Sequence, residues 1–512
     1  MSQLSPAQHG MWIAARKGAG TAYHMPVVIR LSRQPDPDAL AKACHGLLQR
    51  HPVLGSAVAE RDGIPHLVPA AELPVLQRAA TVDEVVGRPF DLAAGPLVRF
   101  ALVGADTLVV VAHHLVLDGG SKDVLVADLD TLLAGGVPGP GRARAEGDAA
   151  SPDPAEAAGF WAGRPHQAEQ TVVAGEVLRS RSTAEGALLE FSLDIPRLDG
   201  LSRFEVLTAA LHTLLASYGN GEVVTALDLS TRPEELGGEI GCWVNELPLA
   251  SRPTAGTPFR GFAASLRAEL RGVYRYREVP LARAVPGLRP HAALAPVSLS
   301  YRRLAEERPA LGEVEWLAFN HGVRGALQLQ VVQGATGAHV SLRHDPRELT
   351  DPARFADDLT RLLAAVADGP DRSLGELTPF TTAPQAATAP PLSGPAAGSP
   401  AGSASVSAPA AGSAAGSAAS APDTAAAPES ATAPDAASPA DDPMVAQVTS
   451  IWEAVLELSP IEPHDDIFDL GGHSLTITQI ISRMEQQLGV EISLDDFFDN
   501  PTVAGVVAVV RG

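Results

Sequence analysis

Residues 108–120 read Leu-Val-Val-Val-Ala-His-His-Leu-Val-Leu-Asp-Gly-Gly. The apolar run at the start is typical of a buried strand, and two adjacent histidines end it. A helix is predicted to follow, capped by Ser121, because one face carries apolar residues at helical spacing: Val124, Leu125, Leu129, Leu132 and Leu133. The histidines are therefore expected where a strand brings side chains to the edge of a crevice.

His113 and His114 are predicted to have different roles, because neighbouring residues on a strand point to opposite faces of the sheet. One imidazole should face a cavity and the other should pack. Imidazole is suited to taking a proton near neutral pH, and Asp118 is placed to orient a ring or to brace the loop through a basic partner. A bare His-His pair is more often structural than catalytic, so the prediction depends on the Asp-Gly spacing and the strand-to-helix setting.

The pattern HHxxxDG in this setting resembles the core motif of condensation domains of nonribosomal peptide synthetases, which belong to the chloramphenicol acetyltransferase-like superfamily. The resemblance implies that His114 is the active histidine, which positions or deprotonates an attacking amine, and that His113 and Asp118 hold the site. The backbone N–H of Gly119 is a further candidate, as a donor to the developing oxyanion. Epimerization domains carry a related motif, but their EGHGRE-like signature is absent from this sequence.

Two further stretches resemble motifs of the same family in the same order along the chain. Near the start, four residues match the signature SxAQxRLW, with Gly10 in place of its arginine: Ser5, Ala7, Gln8 and Trp12. Residues 240–249 resemble IGxFVNTLPLR, with Asn245 retained and Trp243 at the aromatic position. A buried asparagine must find hydrogen-bond partners, so Asn245 is expected to brace the crevice rather than to touch substrate.

The sequence does not identify which basic residue pairs with Asp118. Residues 50–54 resemble the start of the family pattern RHExLRTxF, but Gly55 stands where its arginine would be. In the family that arginine pairs with the motif aspartate. Arg99, on the strand predicted to pair with the central one, is a possible substitute, and the alternative is that Arg99 is an exposed arginine at the sheet edge.

The resemblance runs from residue 4 to about residue 378 and implies an α+β fold of two chloramphenicol acetyltransferase-like lobes in a V shape around a central tunnel. We assign residues 1–150 to the N-terminal lobe and residues 151–382 to the C-terminal lobe. Residues 383–440 are almost wholly Ala, Ser, Gly, Pro and Thr, and such a segment buries too little apolar surface to fold, so it is predicted to be a disordered tether. Residues 441–512 form a separate small domain.

This last domain contains Leu-Gly-Gly-His-Ser-Leu at residues 470–475, with Asp-Ile-Phe-Asp before it. A serine at a helix start is by default an ordinary cap, although the positive end of the helix favours a phosphate attached there. The full pattern resembles a peptidyl carrier protein, an all-α four-helix domain in which Ser474 carries covalent 4′-phosphopantetheine. His473, where fatty-acid-type carriers usually have aspartate, indicates the peptidyl kind.

The composition limits the class of protein. The net charge is −22, and half of that excess falls in residues 441–512, where the basic residues are Arg483 and Arg511. This argues against a nucleic-acid partner and favours partner proteins with basic surfaces. The two cysteines, Cys44 and Cys242, predict neither a disulfide framework nor a metal cluster and favour a reduced, cytoplasmic setting. Neither a signal peptide nor a membrane span is predicted.

The resemblances together imply a condensation and carrier didomain that joins an acyl or peptidyl thioester to an aminoacyl amine on a second carrier. The segment between the two domains is far too short for an adenylation domain, so the expected partners are upstream or downstream carrier proteins, a trans-acting adenylation enzyme and a phosphopantetheinyl transferase. Two alternatives remain open: an amide or ester synthase that uses a free acceptor with the donor on Ser474, and a non-catalytic domain that recruits partner enzymes.

Overall fold

The computed structural model describes residues 2–61, 64–139, 154–181, 183–233, 236–285, 288, 292–304, 309–380, 442–456, 458–467, 470, 474–490, 492, 496, 497 and 500–511. The predicted tether, the predicted boundary between the lobes and residues 471–473 of the carrier motif lie outside these ranges. No helix in the described ranges is long and apolar enough to cross a membrane.

The chain up to residue 139 folds into a first lobe. In order it contains β1 (Ser2–Gln3), α1 (Pro6–Arg16), β2 (His24–Leu31), α2 (Pro37–Arg50), a short 3-10 helix (Pro52–Gly55), β3 (Ser56–Arg61), β4 (Ile64–Pro69), β5 (Leu76–Ala79), α3 (Val82–Gly87), β6 (Val98–Val103), β7 (Thr107–His113) and α4 (Gly119–Leu133).

The chain from residue 154 to residue 380 forms the second lobe. In order it contains α5 (Pro154–Trp161), β8 (Gln170–Val173), β9 (Glu176–Arg179), β10 (Ala184–Glu185), β11 (Ala187–Leu193), α6 (Arg203–Ser217), β12 (Val223–Ser230), β13 (Val244–Ser251), α7 (Phe259–Arg275), α8 (Leu281–Ala284), β14 (Val297–Arg303), β15 (Gly312–Glu315), β16 (Gly322–Val323), β17 (Leu327–Gln333), β18 (Ala338–His344), α9 (Pro352–Asp368) and α10 (Leu374–Leu377).

The first lobe is built on a five-stranded sheet in the order β15-β2-β7-β6-β5, with β7 at its centre. Successive residues of β7 enter two different cores. Leu108 and Val110 pack with α2 and α4, whereas Val109 and Val111 pack with Val85 and other residues of a smaller cluster. Burial of both faces explains why the strand is an unbroken apolar run rather than an alternating one.

The second lobe is built on a six-stranded sheet in the order β11-β18-β17-β14-β12-β13. One face is apolar and packs against α6, α7 and α9. The other face is polar and lines a cavity; its residues include Asp228, Glu246, Ser300 and Gln330. The alternation along each strand therefore separates a helix-covered core from a polar wall.

The second half of the chain contributes one strand to the sheet of the first lobe. β15 lies in the second half of the chain but pairs antiparallel with β2 of the first lobe, where Glu315 is the register partner of Val28. In the second lobe, α5 begins at Pro154 and ends at Trp161. The buried Trp161 fixes the end of this helix in the core of the second lobe.

The described part of the carrier domain contains α11 (Pro443–Leu456), α12 (Ser474–Leu488) and α13 (Val503–Arg511). Its core is centred on Trp452, whose ring stacks on Phe497 with centroids 5.5 Å apart. Ile477, Ile480 and Met484 of α12 are buried against it, which accounts for their helical spacing in the sequence.

Truncation of the central strand tests this packing. Leu108 is fully buried, so Leu108→Ala is expected to lower the free energy of unfolding by about 2–5 kcal/mol through lost contacts and a cavity. Leu73→Ala is the matched control, because Leu73 is 52% exposed and its removal should cost less than about 0.5 kcal/mol. Denaturant unfolding of both variants gives the comparison, and equal losses would contradict the assigned core.

Candidate active site between the two lobes

His113 is the last residue of β7 and is held inside the first lobe. Its Nδ1 accepts the backbone N–H of Leu115 at 3.2 Å, and its ring packs near Tyr23 and Phe90, with centroids 6.2 and 6.0 Å away. Burial, together with the nearby His24, lowers the pKa of His113 well below its usual value. The ring is therefore neutral near pH 7, and it packs rather than reacts.

His114 follows the end of β7, and its ring lines a cavity of about 410 Å³. The backbone N–H of His114 donates to the carbonyl of Tyr23 at 2.8 Å, which fixes the start of the turn. The next residue is held by Gln8, whose Nε2 donates to the carbonyl of Leu115 at 2.7 Å. Gln8 is itself oriented by a capping box with Ser5, so the opening signature of the chain positions the histidine turn.

The two ring nitrogens of His114 differ in their surroundings. Nδ1 lies on the protein side, 3.9 Å from Sγ of Cys242. Nε2 has no hydrogen-bond partner in the described part of the chain. Burial lowers the pKa of His114, and a hydrogen bond to its own backbone and the charge of Asp118 oppose that effect only in part. A neutral ring with a free nitrogen in a cavity is able to accept a proton.

Asp118 caps α4 and joins the two lobes. Its Oδ1 accepts the N–H of Ser121 at 2.7 Å and Nη2 of Arg232 at 2.6 Å, and its Oδ2 accepts the N–H of Trp243 at 2.9 Å. The helix therefore begins at Gly119, and the expectation that Ser121 is the cap was wrong. The hydroxyl of Ser121 is used between the lobes instead, where it donates to the carbonyl of Gly241 at 2.9 Å.

Arg99 does not brace Asp118, and both sequence interpretations of this residue were wrong. Arg99 is only 6% exposed, so it is not an exposed arginine at the sheet edge. Its guanidinium lies over the ring of Phe90, 3.7 Å from the centroid, and donates to backbone carbonyls including that of Val85. The strand register directs this side chain toward α3, on the face of the sheet away from α4.

Arg232 is the residue that sequence reasoning missed. It follows β12 in the second lobe, and its Nη1 also donates to the carbonyl of Glu239 at 2.6 Å while its guanidinium lies 4.2 Å from the centroid of the Trp243 ring. A Cβ at Gly120 would lie 3.4 Å from Nε of Arg232, which is ordinary van der Waals contact, so the guanidinium does not require a glycine at this position. No local pattern in the sequence links Arg232 to Asp118, so short-range reasoning could not find this pair.

A second set of contacts holds residues 238–240, in the loop between β12 and β13, against the first lobe. Arg50 donates from Nη1 to Glu239 at 3.0 Å and from Nη2 to the carbonyl of Gly238 at 2.8 Å. His51 Nδ1 accepts the N–H of Ile240 at 3.3 Å, and its Nε2 lies 2.7 Å from Oδ2 of Asp128. The Arg-His pair that resembled a family motif therefore fixes residues 238–240 to the first lobe.

Gly119 and Asn245 also line the cavity. Gly119 is the first residue of α4, where backbone N–H groups have no partner within the helix. Asn245 donates from Nδ2 to the carbonyls of Arg277 at 2.8 Å and Val279 at 3.3 Å. These bonds tie β13 to the segment that follows α7, and bracing the crevice stays a prediction for this residue.

Ser474 is the first residue of α12 in the carrier domain. The Gly-Gly-His that precedes it lies outside the described residues. Its position at the start of a helix places it where the helix dipole favours an attached phosphate. The assignment of Ser474 as the attachment point remains a prediction from the motif.

Comparison with known families identifies both parts of the chain. Residues 1–138 match the model of the condensation domain, and residues 446–510 match the phosphopantetheine attachment site. The fold agrees: a solved first condensation domain of the calcium-dependent antibiotic synthetase, in complex with a substrate analogue, superposes with a TM-score of 0.60 at 19% identity, over 73% of this chain and 99% of that one.

The curated relatives are much longer proteins. The chain is 28% identical over 448 residues to the probable non-canonical nonribosomal peptide synthetase CymA of Salinispora arenicola, which covers 73% of this chain and 6% of CymA. It is 26% identical over 316 residues to tyrocidine synthase 2 of Brevibacillus parabrevis, covering 54% of this chain and 9% of that synthase. The chain therefore spans only a small fraction of the relatives that it matches.

A solved X-domain from teicoplanin biosynthesis has the same fold, with a TM-score of 0.58 at 22% identity over 73% of this chain and 96% of that one. The matching family models identify a condensation domain at the N-terminus and, at the C-terminus, a carrier domain of the class that holds covalent 4′-phosphopantetheine. The chain is similar in sequence to nonribosomal peptide synthetases and shares the fold of solved condensation domains. The predicted fold class, family and cofactor are confirmed, and carrier proteins are partners of such domains.

Removing the guanidinium of Arg232 tests the ion pair between Arg232 and Asp118, which connects the two lobes. The side chains of Arg232 and Asp118 are only 13% and 7% exposed, so Arg232→Ala leaves a mostly buried carboxylate unpaired and is expected to cost about 3–5 kcal/mol of unfolding free energy. Arg252→Ala is the control, since its pair with Glu222 is exposed and should contribute less than about 1 kcal/mol. Similar losses in both variants by denaturant unfolding would contradict the assigned role.

Proposed function

We propose that the protein forms an amide bond between an acyl or peptidyl thioester and the amine of a second, carrier-bound substrate. The observation that carries the proposal is the neutral His114, whose ring lines the interlobe cavity with Nε2 free of protein partners in the described residues. The attacking amine forms the new C–N bond and its proton passes to Nε2 of His114; the C–S bond then breaks, and the same proton passes from His114 to the departing sulfur, which leaves as a thiol.

Placement of the substrates supplies much of the acceleration in this proposal. An amine and a thioester held side by side in one cavity react as if they belonged to a single molecule. The imidazole of His114 then needs only to orient the amine and to take its proton late. The N–H of Gly119, at the positive end of α4, is the proposed donor to the oxyanion of the tetrahedral intermediate. Asp118 and His113 are proposed to hold the His114 turn in place rather than to contact substrate, because neither side chain lines the cavity.

The carrier domain delivers one of the two substrates in this proposal. Ser474 is proposed to carry 4′-phosphopantetheine, added by a phosphopantetheinyl transferase, and an adenylation domain outside residues 1–512 would load the thiol, since residues 381–441 are too few for such a domain. Covalent attachment raises the local substrate concentration to about millimolar, so tight docking of the carrier is not needed. The proposed domain limits are those predicted from the sequence.

A recruitment function is the second candidate, and the likeness to the X-domain favours it. A related solved structure is a complex of the teicoplanin X-domain with OxyB, so that domain docks another protein. The present chain differs in presenting a complete HHxxxDG pattern with the second histidine in the cavity. Product formation decides between the two functions.

Substitution of His114 is the test of catalysis. Holo-protein supplied with both loaded carriers should form product, and His114→Ala should lower the rate by about 10²- to 10⁴-fold through loss of the proton acceptor. His45→Ala is the matched control, because His45 is exposed on α2. The quantity measured is product per unit time by liquid chromatography and mass spectrometry, and equal rates for wild type and His114→Ala would favour recruitment.

The pH profile gives an independent readout of the same group. Since burial lowers the pKa of His114 below its usual 6.5, the base is already neutral near pH 7. After correction for the separately measured ionisation of the substrate amine, kcat/KM should fall only when the pH drops below 6.5, and a corrected profile that still rises steeply between about pH 7 and 8 would contradict a neutral, buried base.

The attachment site is tested on the carrier itself. Incubation with coenzyme A and a phosphopantetheinyl transferase should add one phosphopantetheine to the wild type, as measured by intact-protein mass spectrometry. Ser474→Ala should add none, because the acceptor hydroxyl is gone. Ser482→Ala, which removes a serine later in the same helix, is the control and should be modified normally. Modification of Ser474→Ala would place the attachment elsewhere.

A further inference from the structure

Two carboxylates and one guanidinium lie together on the cavity wall of the second lobe. Asp228 on β12 is the register partner of Glu246 on β13, and both line the same cavity as His114. Arg324 donates from Nη2 to Oε2 of Glu246 at 2.6 Å. Like charges directly opposite on neighbouring strands destabilise a sheet, so this pair needs compensation by positive charge.

The single guanidinium does not compensate both acids. Nη2 of Arg324 is shared between Glu246 and the carbonyl of Ala292, and its Nε is buried with no partner in the described residues. Asp228 has no hydrogen-bond donor in that part of the chain. Burial raises the pKa of Asp228 to about 7; the charge of Glu246 adds to this effect, and the charge of Arg324 opposes it only in part. The cavity wall therefore holds a carboxyl group that has no hydrogen-bond donor among the described residues and whose negative charge Arg324 offsets incompletely.

The remaining cations of the cavity wall are already engaged by the protein. Lys122 donates from Nζ to the carbonyls of Pro26 at 2.9 Å and Trp316 at 2.8 Å. Arg302 donates to both carboxylate oxygens of Asp123 at 2.8 Å. Arg343 likewise donates to two backbone carbonyls of the segment before β16. None of these groups is bonded to Asp228.

Tyr23 connects the acidic pair with the active histidine. Its backbone carbonyl accepts the N–H of His114 at 2.8 Å, and its side chain lies within electrostatic reach of Arg324, Glu246 and Asp228. The acidic pair is therefore part of the compartment in which the thioester and amine would meet. Glu246 also stands where the similar family motif quoted above has threonine, so the charge is a feature of this chain.

We propose that Asp228 and Glu246 form a subsite for a cationic amine, and that one of the joined acyl groups is an aminoacyl group with a basic side chain. The inference rests on the proposed condensation function and names its substrate class. An aliphatic ammonium offers three donors, enough to bind Asp228 and a free oxygen of Glu246 together. The reacting amine must be neutral to attack, so the bound ammonium is a second basic group on the side chain.

Binding of stable analogues tests the subsite without turnover. Lysyl, norleucyl and glutamyl amides of aminopantetheine, in which nitrogen replaces the thioester sulfur, are titrated into the full chain by isothermal calorimetry. The lysyl analogue should bind at least about tenfold more tightly than the norleucyl one, because it adds charge-assisted hydrogen bonds, and the glutamyl analogue should bind most weakly.

Two variants assign the preference to the proposed residues. Asp228→Asn should reduce the lysyl-to-norleucyl ratio to less than about threefold, whereas Asp357→Asn, which changes an exposed carboxylate on α9, should leave the ratio as in wild type. Equal binding of the three analogues, a glutamyl preference, or an unchanged ratio in Asp228→Asn would overturn the subsite. If the lysyl analogue binds more tightly but the protein forms no condensation product, the proposed function is overturned and the subsite is not. If the protein forms condensation product but binds the lysyl and norleucyl analogues equally, the subsite is overturned and the proposed function is not.

Discussion

The Asp118 carboxylate is the contact on which the arrangement of the site depends. It belongs to the turn that ends the central strand of the first lobe, yet two of its three hydrogen-bond donors, Arg232 and the N–H of Trp243, come from the second lobe. The third donor is the N–H of Ser121, so one side chain starts a helix and joins two lobes. A buried carboxylate that lost these donors would carry a large desolvation cost, which keeps the turn and the loop together.

The position of His114 depends on these contacts of Asp118 with the second lobe. The turn that carries the ring is fixed at one end by the Tyr23 carbonyl and Gln8, and at the other by Asp118. The walls of the cavity come from both lobes, so the same contact that closes the turn also sets the distance between the histidine and the polar face of the second sheet. Burial then keeps the imidazole neutral, which suits a proton acceptor for an amine.

Much of this was predictable from local sequence, and the rest was not. The apolar run of β7, the opposite placement of His113 and His114, and the helix after them follow from short-range periodicity. The partner of Asp118 did not follow, because Arg232 lies more than a hundred residues away and no local pattern links the two. Arg99 was a wrong candidate because it lies on the strand next to β7 but its side chain points to the opposite face of the sheet. The acidic pair was not predicted, because only the strand register brings Asp228 opposite Glu246.

Alkylation by a chloroacetyl amide of aminopantetheine, followed by peptide mapping, measures directly whether Nε2 of His114 is accessible in a cavity that a pantetheine arm can enter. Cys242 lies close by, but burial raises the pKa of its thiol and leaves it largely unreactive. A single adduct on the His114 ring is expected. Labelling confined to residues outside the cavity, with His114 unmodified, would contradict it.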